Sequence, residues 1–328
     1  MERIEHYRFS SDIRQAVREY CQIDNWHGCL AWIEDFSIIG GAIALPCMVS
    51  WYFYPLSIVL IGSRQRALAT LLHESAHQTL AQNKALNFIL GTFGSGYLIL
   101  QTMTSYRDSH VRGHHGHFGN FCKDPDYAFM LDQGVYERDL SDANFAWRYV
   151  WSPLLLVKTP EYLYSLVAHR LFEQGSLNQK NSRELALMGA WWLIILSGVT
   201  YVHCWGNFIL LWVVPYLTVF QIVGWFIELA EHYPLMNTNV DLYMSRNRHS
   251  AWLEKGLTGM HNESFHLVHH LFPSVPFWHV HKVHALLLQD QNYASHDSKQ
   301  GGIFWSVSGR TSVLRQCLTC SATKALEA

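Results

Sequence analysis

The chain is poor in charge. Only 15% of its 328 residues are Asp, Glu, Lys or Arg, against about 25% in an ordinary soluble domain. The charges nearly cancel, leaving a formal net of −2, so the basic stripe of a nucleic-acid binder is missing and no nucleic-acid partner is expected. The first residues, MERIEHYRFSSDIRQAVREY, are charged throughout and hold no apolar run, so no cleavable signal peptide is expected. There is no GxGxxG fingerprint, no CxxCH haem attachment and no ferredoxin-type cysteine run. Electrons for any redox chemistry therefore have to come from a separate partner. The seven cysteines are an odd set without framework spacing, which points to free thiols in a reducing compartment. Cys317 and Cys320 form one CxxC, and no second pair follows to complete a zinc site.

Apolar residues dominate instead. Half of the chain is hydrophobic, and 13 Trp and 16 Tyr suit a protein anchored at membrane interfaces. Phe36 to Gly62 carries no charge. It is longer than the roughly 20 residues of one span and too short for two. With Leu30–Ile33 and Gln65–Leu72 on its flanks it becomes two spans joined near Trp51–Pro55, with Pro46 and Pro55 as bend points. Leu185 to Ile227 splits at His203–Asn207 into spans over 186–203 and 208–227. Neither joining turn has a Lys or Arg, whereas Arg3, Arg8, Arg14, Arg18, Arg64, Arg66, Arg107, Arg112, Lys123, Arg246, Arg248 and Lys255 lie on the other side. The positive-inside rule then puts both termini in the cytoplasm. Leu86–Leu100 and Val150–Leu166 are short or interrupted, and read as buried or interfacial. The expected fold is an all-α integral membrane protein with about four transmembrane helices in two hairpins and a cytoplasmic helical cap. Its divisions are an N-terminal segment over 1–29, a first hairpin over 30–72, a cytoplasmic and interfacial region over 73–184, a second hairpin over 185–231, a cytoplasmic region over 232–290 and a tail over 291–328.

Histidine is the anomaly, with 20 residues. Imidazole is the commonest metal ligand, and the dense clusters all fall on the expected cytoplasmic side. The first is HESAH, His73 to His77, whose i, i+4 spacing puts both rings on one helical face. It also fits the HExxH zinc-protease pattern with Glu74 as general base, so a metalloprotease is the rival reading. The second is HVRGHHGH, with His110, His114, His115 and His117. The third is HLVHH, with His266, His269 and His270. His232 stands at the end of the last span. With His117 set aside, nine histidines remain, too many for one catalytic zinc with three protein ligands and suited to two metals that accept imidazole, such as iron.

As a set, HESAH, HVRGHHGHFG followed by Asp124-Pro125-Asp126, and HNESFHLVHHLFPSVP resemble the three histidine boxes of the membrane fatty acid desaturase and hydroxylase superfamily, in its bacterial or cyanobacterial branch. The resemblance covers roughly residues 30–290. It implies a cap holding a non-haem di-iron site, O2 as co-substrate, and desaturation of an acyl or other lipid-like substrate. It also implies an external electron donor of ferredoxin or cytochrome b5 type with a reductase. The implied ligands are His73, His77, His110, His114, His115, His232, His266, His269 and His270. The second box departs from many members in having three residues between His110 and His114, and Glu228 stands where acyl-CoA desaturases place an Asn.

Acidic and amide partners should hold the imidazoles, with Glu74, Asp108, Asp124, Asp126, Glu228, Glu231, Asn262 and Glu263 as candidates. His117, His261, His279, His281 and His284 stay undecided, and His6, His27, His169, His203, His249 and His296 are isolated. A hydroxylase on the same scaffold is the second reading. A non-enzymatic metal-binding membrane protein, such as a transporter, is the third; spans nearly free of ionisable residues count against it. The charge asymmetry yields a test. Cys204, in the second turn, should react with impermeant thiol reagents only from the far side, and Cys122 only from the cytoplasmic side. Equal labelling of both from the cytoplasm contradicts the orientation.

Overall fold

The computed structural model describes residues 4–136, 142–167, 179–307 and 309–319, and among them every regular element is helical. The elements used below are α1 (Ser11–Glu19), α2 (His27–Ala44), α3 (Tyr54–His77), α4 (Lys84–Gly91), α5 (Gln179–Tyr201), α6 (Val219–His232), α7 (His266–Leu271), α8 (Val280–Leu287) and α9 (Gln291–Ser298). The chain forms two compact units, each built from separate stretches. One comprises residues 1–22, 109–157 and 225–328; the other comprises 23–108 and 158–224.

In the second of these, α2 and α3 run antiparallel. Pro46 lies in a π-helical turn, Leu45–Val49, that follows α2, and Ser50 is extended, so the helix stops there. Pro55 sits in the first turn of α3, where its missing N–H costs nothing. Ala42, Ile61 and Leu211 pack as a small core. The α3 helix ends in a left-handed residue, Gln78 (φ 64°), whose N–H closes on the carbonyls of Glu74 and Ser75, so HESAH forms the last turn of a helix. Glu184 near the start of α5 accepts hydrogen bonds from the Met103 N–H (2.5 Å) and the Thr104 N–H (2.9 Å). Thr102 Oγ1 donates to Asn181 at 2.7 Å. The strip that leads into the second histidine box is thus tied to α5.

Among the described residues, three helices are long and apolar enough to cross a membrane: His27–Val49, Asn181–Tyr201 and Trp205–His232. Four were expected. The α3 helix has 24 residues, enough length, but Arg64, Gln65, Arg66, His73, Glu74 and His77 dilute its hydropathy. The spans are also less bare than the sequence reading held: Asp35, inside the first one, is fully buried and lies 3.4 Å from Arg64 of α3. A buried pair of this kind fixes how two helices register, and removing one partner is costly. The stretches 86–100 and 150–166 are short helical pieces, as expected, with Leu90, Tyr97, Ile99 and Val150 buried.

The other unit has its apolar core where α1, α7, α8 and α9 meet, with Phe9, Ile13, Val17, Leu267, Val268, Val283, Leu287 and Tyr293 in one cluster. Leu267 and Val268 turn the back of the third histidine box into that core, which leaves His266 and His270 to face elsewhere.

Helix contacts in the spans rely on small residues. A Cβ at Gly62 would lie 2.6 Å from Val219 Cβ and 3.0 Å from the Phe220 nitrogen, whereas at Gly40 it would meet nothing within 4 Å. Gly62→Ala should therefore lower the thermal midpoint in detergent, by an overpacking cost of about 1–3 kcal/mol. Gly40→Ala should leave the midpoint unchanged or raise it slightly. Equal midpoints for the two variants would refute close packing at Gly62.

Candidate metal centre

Four histidines of the first unit point one nitrogen each at a common place. His266 Nε2 lies 3.0 Å from His232 Nε2 and 3.0 Å from His270 Nε2, and His270 Nε2 lies 3.2 Å from His114 Nε2. All four donor atoms fall within 4.8 Å of one another. They come from three segments: a π-helical turn over Arg107–His114, the last residue of α6, and α7. On α7, His266 and His270 are i and i+4, which brings both rings to the same side. Phe118 stacks on His270, with ring centroids 4.4 Å apart.

Two rings are hydrogen-bonded on their far side and a third faces a carboxylate. His114 Nδ1 donates to Asp124 Oδ1 at 2.8 Å, His232 Nδ1 donates to the Met244 carbonyl at 3.1 Å, and His266 Nδ1 lies 3.4 Å from Glu231 Oε1. A proton fixed on Nδ1 leaves Nε2 as a bare lone pair. Donor atoms this close repel unless a cation lies between them, so the four could hold a metal ion. Burial and the positive charge of neighbouring rings push His266 and His270 well below the usual imidazole range, which keeps them neutral and ready to ligate. Burial acts on His114 in the same direction, but the Asp124 and Asp126 carboxylates outweigh it and raise the ring to about 9, so a metal taking Nε2 would displace a proton from it.

Asp124 is itself fully buried. Besides His114 it accepts from the Gly119 N–H (2.9 Å) and, as N-cap of the helix Pro125–Asp132, from the N–H groups of Asp126 and Tyr127 (3.1 Å each). Four donors on one carboxylate hold it rigid. Arg248, read in the sequence only as a topology signal, is buried with its guanidinium 3.6 Å from Glu231 Oε1. No sequence spacing marks it, because its relation to Glu231 is purely tertiary.

A second group gathers nearby donors. His110, His115 and His269 bring ligand nitrogens within 4.8 Å, with His269 Nε2 3.0 Å from His115 Nε2. His110 Nδ1 lies 3.4 Å from Asp126 Oδ2, and burial lowers the pKa of its ring. In the other unit, His73 and His77 present rings 4.6 Å apart on the last turn of α3. Glu74 beside them is buried, 3.2 Å from His73 Nδ1, and accepts from Thr79 Oγ1 at 2.7 Å.

The remaining candidates are scattered. Asp108, Glu228 and Glu263 are half-buried. Asn262 donates to the Phe277 carbonyl at 3.0 Å, which ties down a loop. His117 and His281 are exposed, His261 packs on Phe277, and His279 donates to the Tyr20 carbonyl. His284 and His249 meet Asp297 in a separate cluster. His6 and His27 pair with Asp241 and Asp24, His296 bonds the Ser245 carbonyl, and His203 is exposed in a turn. His169 lies outside the described residues, as does Cys320.

The backing of His114 can be tested. Asp124→Asn removes the charge that holds its Nδ1–H, and metal retained after purification should fall about 10–100-fold in affinity, the usual effect of losing such a partner. Asp126→Asn, at a half-exposed carboxylate, should lose less. Metal analysis and chelator competition measure both, and equal retention by wild type and Asp124→Asn would contradict this role.

Comparison with known proteins agrees with the histidine pattern. The family profile described as Fatty acid desaturase matches residues 49–299. Dihydrorhizobitoxine desaturase of Bradyrhizobium elkanii is 36% identical over 319 residues, covering 96% of this chain and 90% of its own length. The chloroplastic omega-3 fatty acid desaturase of Glycine max is 27% identical, over 82% of this chain and 62% of its own. The chloroplastic sn-2 acyl-lipid omega-3 desaturase (ferredoxin) of Helianthus annuus is 24% identical over 82% and 64%. With three-quarters of its length matched and a desaturase relative across nearly all of it, this chain belongs to the fatty acid desaturase family and is an oxidoreductase of desaturase type.

Proposed function

We propose that the protein is an O2-dependent di-iron desaturase of an acyl or other lipid-like substrate, working at the cytoplasmic face of a membrane that it crosses four times in two hairpins. The observation that carries the metal chemistry is the convergence of His114, His232, His266 and His270 through Nε2, with Nδ1 of His114 and of His232 hydrogen-bonded and Nδ1 of His266 facing Glu231. In this reading these four hold one iron, and His73, His77, His110, His115 and His269 supply the other. Placing His73 and His77 in the same centre follows the sequence boxes. The two irons, when bound, supply the O2-derived oxidant that breaks unactivated C–H bonds.

The residues of the chain then have defined tasks. Asp124 and Glu231 fix tautomers, and the buried rings keep water from the reacting carbons. The overall reaction removes two hydrogens from adjacent carbons and reduces O2 to two waters, with two electrons and two protons from outside. An external donor of ferredoxin or cytochrome b5 type supplies the electrons, a reading that the ferredoxin-named relative supports. A lipid-like substrate is favoured by an apolar cavity of 740 Å³ within the second unit, lined by Trp32, Phe36, Phe93, Trp191, Leu211 and Trp212 among others. One observation favours a second reading. The relative that covers 96% of this chain is named for dihydrorhizobitoxine and not for a fatty acid, so a non-lipid substrate is the alternative.

Product analysis by mass spectrometry, after co-expression with a donor and its reductase, tests these readings together with metal analysis. About two irons per chain are expected, with products that have lost two hydrogens from lipid acyl chains. Gain of one oxygen identifies a hydroxylase, and turnover confined to non-lipid compounds identifies the second reading. His270→Ala should lose iron and activity by orders of magnitude, whereas His203→Ala should keep both. Full iron and turnover in His270→Ala would overturn the ligand assignment.

A further inference from the structure

The polar cluster made by His249, His284 and Asp297 lies outside the histidine set and has no part in the chemistry above. Its donor atoms fall within 4.8 Å of one another, the spacing of a metal site, but the space between them is taken. Asn247 Nδ2 lies 2.8 Å from Asp297 Oδ1, 2.8 Å from the Tyr293 hydroxyl and 3.4 Å from His284 Nδ1. An ion bound to Asp297 and His284 at about 2.1 Å would crowd an amide whose hydrogens point the same way. Arg310 Nη1, 3.4 Å from Asp297 Oδ2, already balances the carboxylate. The cluster is a hydrogen-bond hub with Asn247 at its centre.

Every role in the hub has one consistent direction. Asn247 uses its two N–H bonds on Asp297 and Tyr293. The Tyr293 hydroxyl then donates its own proton to His284 Nδ1 at 2.8 Å. His249 Nε2 donates to Asp297 at 2.9 Å. Burial holds His284 down at about 4, as an acceptor requires. Burial alone would raise the Asp297 carboxyl, but the hydrogen bonds from His249 and Asn247 bring it to about 2. The amide oxygen of Asn247 is left over, and it accepts from the Val268 N–H at 3.3 Å. A flipped amide would set its oxygen against a carboxylate and its N–H₂ against an N–H, so the orientation is determined by chemistry.

Val268 is the third residue of α7. The first N–H groups of a helix have no partner within it, and a side chain at the N-cap normally answers one of them. The residue at that place, Phe265, has no such group. The Leu267 N–H is instead met by the Arg246 carbonyl (3.3 Å), and the Val268 N–H by Asn247. The segment before Arg248 caps the helix from a distance.

We infer that Asn247 is a positioning residue for the metal centre: it caps α7 from outside and ties the helix bearing His266, His269 and His270 to Tyr293 and Asp297 of α9. The inference rests on the ligand reading above. Losing the cap lets the first turn of α7 unwind, and His266 and His270 then no longer aim at one point.

The test uses full-length protein in detergent with iron loaded. Wild type is measured first; if it binds no iron, the ligand reading fails and the inference with it. In Asn247→Ala, kcat should fall about 10–100-fold, as for loss of a ligand-orienting partner, with KM unchanged. The Mössbauer spectrum of the iron should change. Val17→Ala, a packing change in the same core, should lower the thermal midpoint without altering the spectrum. If Asn247→Ala does not fold, Tyr293→Phe, which removes one hydroxyl from the hub, should show the same spectral change with a smaller fall in kcat. Wild-type kcat and spectrum in Asn247→Ala, or an unchanged spectrum in Tyr293→Phe when it is the variant available, would overturn the inference.

Discussion

Four imidazole lone pairs directed at one point make an arrangement that proteins do not adopt without cause. Neutral donors in a buried place repel one another and gain nothing from water. In this chain the arrangement is supported from behind at three of the four rings. Asp124 holds His114, the Met244 carbonyl holds His232, and Glu231 faces His266. Asp124 in turn is fixed by three backbone N–H groups. The geometry of the centre therefore depends on a shell of acceptors more than on the histidines themselves, and that shell is built from loops and helix ends.

The second box shows how local helix geometry sorts ligands. Its residues Arg107–His114 form a π-helical turn, which is wider than an α-helical one and is found most often at functional sites. His114 goes to the set with α7 and His232, while His110 and His115 fall in the other group. Neighbouring residues in the chain thus serve different donor sets. The three residues between His110 and His114 fit this wider turn.

The family resemblance and the relatives agree on the reaction type and divide on the substrate. A cavity lined by tryptophan and phenylalanine lies among the helices of the second unit, and plant relatives are named for fatty acids. The bacterial relative is named for another molecule. Relatives of one family thus carry names from both classes, and in the proposed reading the pocket, more than the histidine set, selects the substrate.

Much was legible in the residues alone. Apolar blocks without charge gave helices that suit a membrane, since backbone polar groups in lipid can be satisfied only within a helix. HESAH and HLVHH set histidines on one helical face through the i, i+4 period, and Asp124, named from its place after the second box, bonds His114. The α3 helix was harder, because Arg64 and Arg66 dilute its hydropathy and Arg64 is answered by Asp35, a residue far away in the chain. The sorting of His110, His114 and His115 needed the π turn, which no spacing announces. Arg248, read only as a topology signal, is buried beside Glu231, and Asn247, which no sequence pattern singles out, accepts from an N–H of a helix to which it does not belong. Sequence by itself determined which chemistry is present, because ligand type and helical period are local properties. Only the tertiary structure decided which groups face one another, because caps, counter-charges and converging lone pairs join residues whose separation along the chain carries no signal.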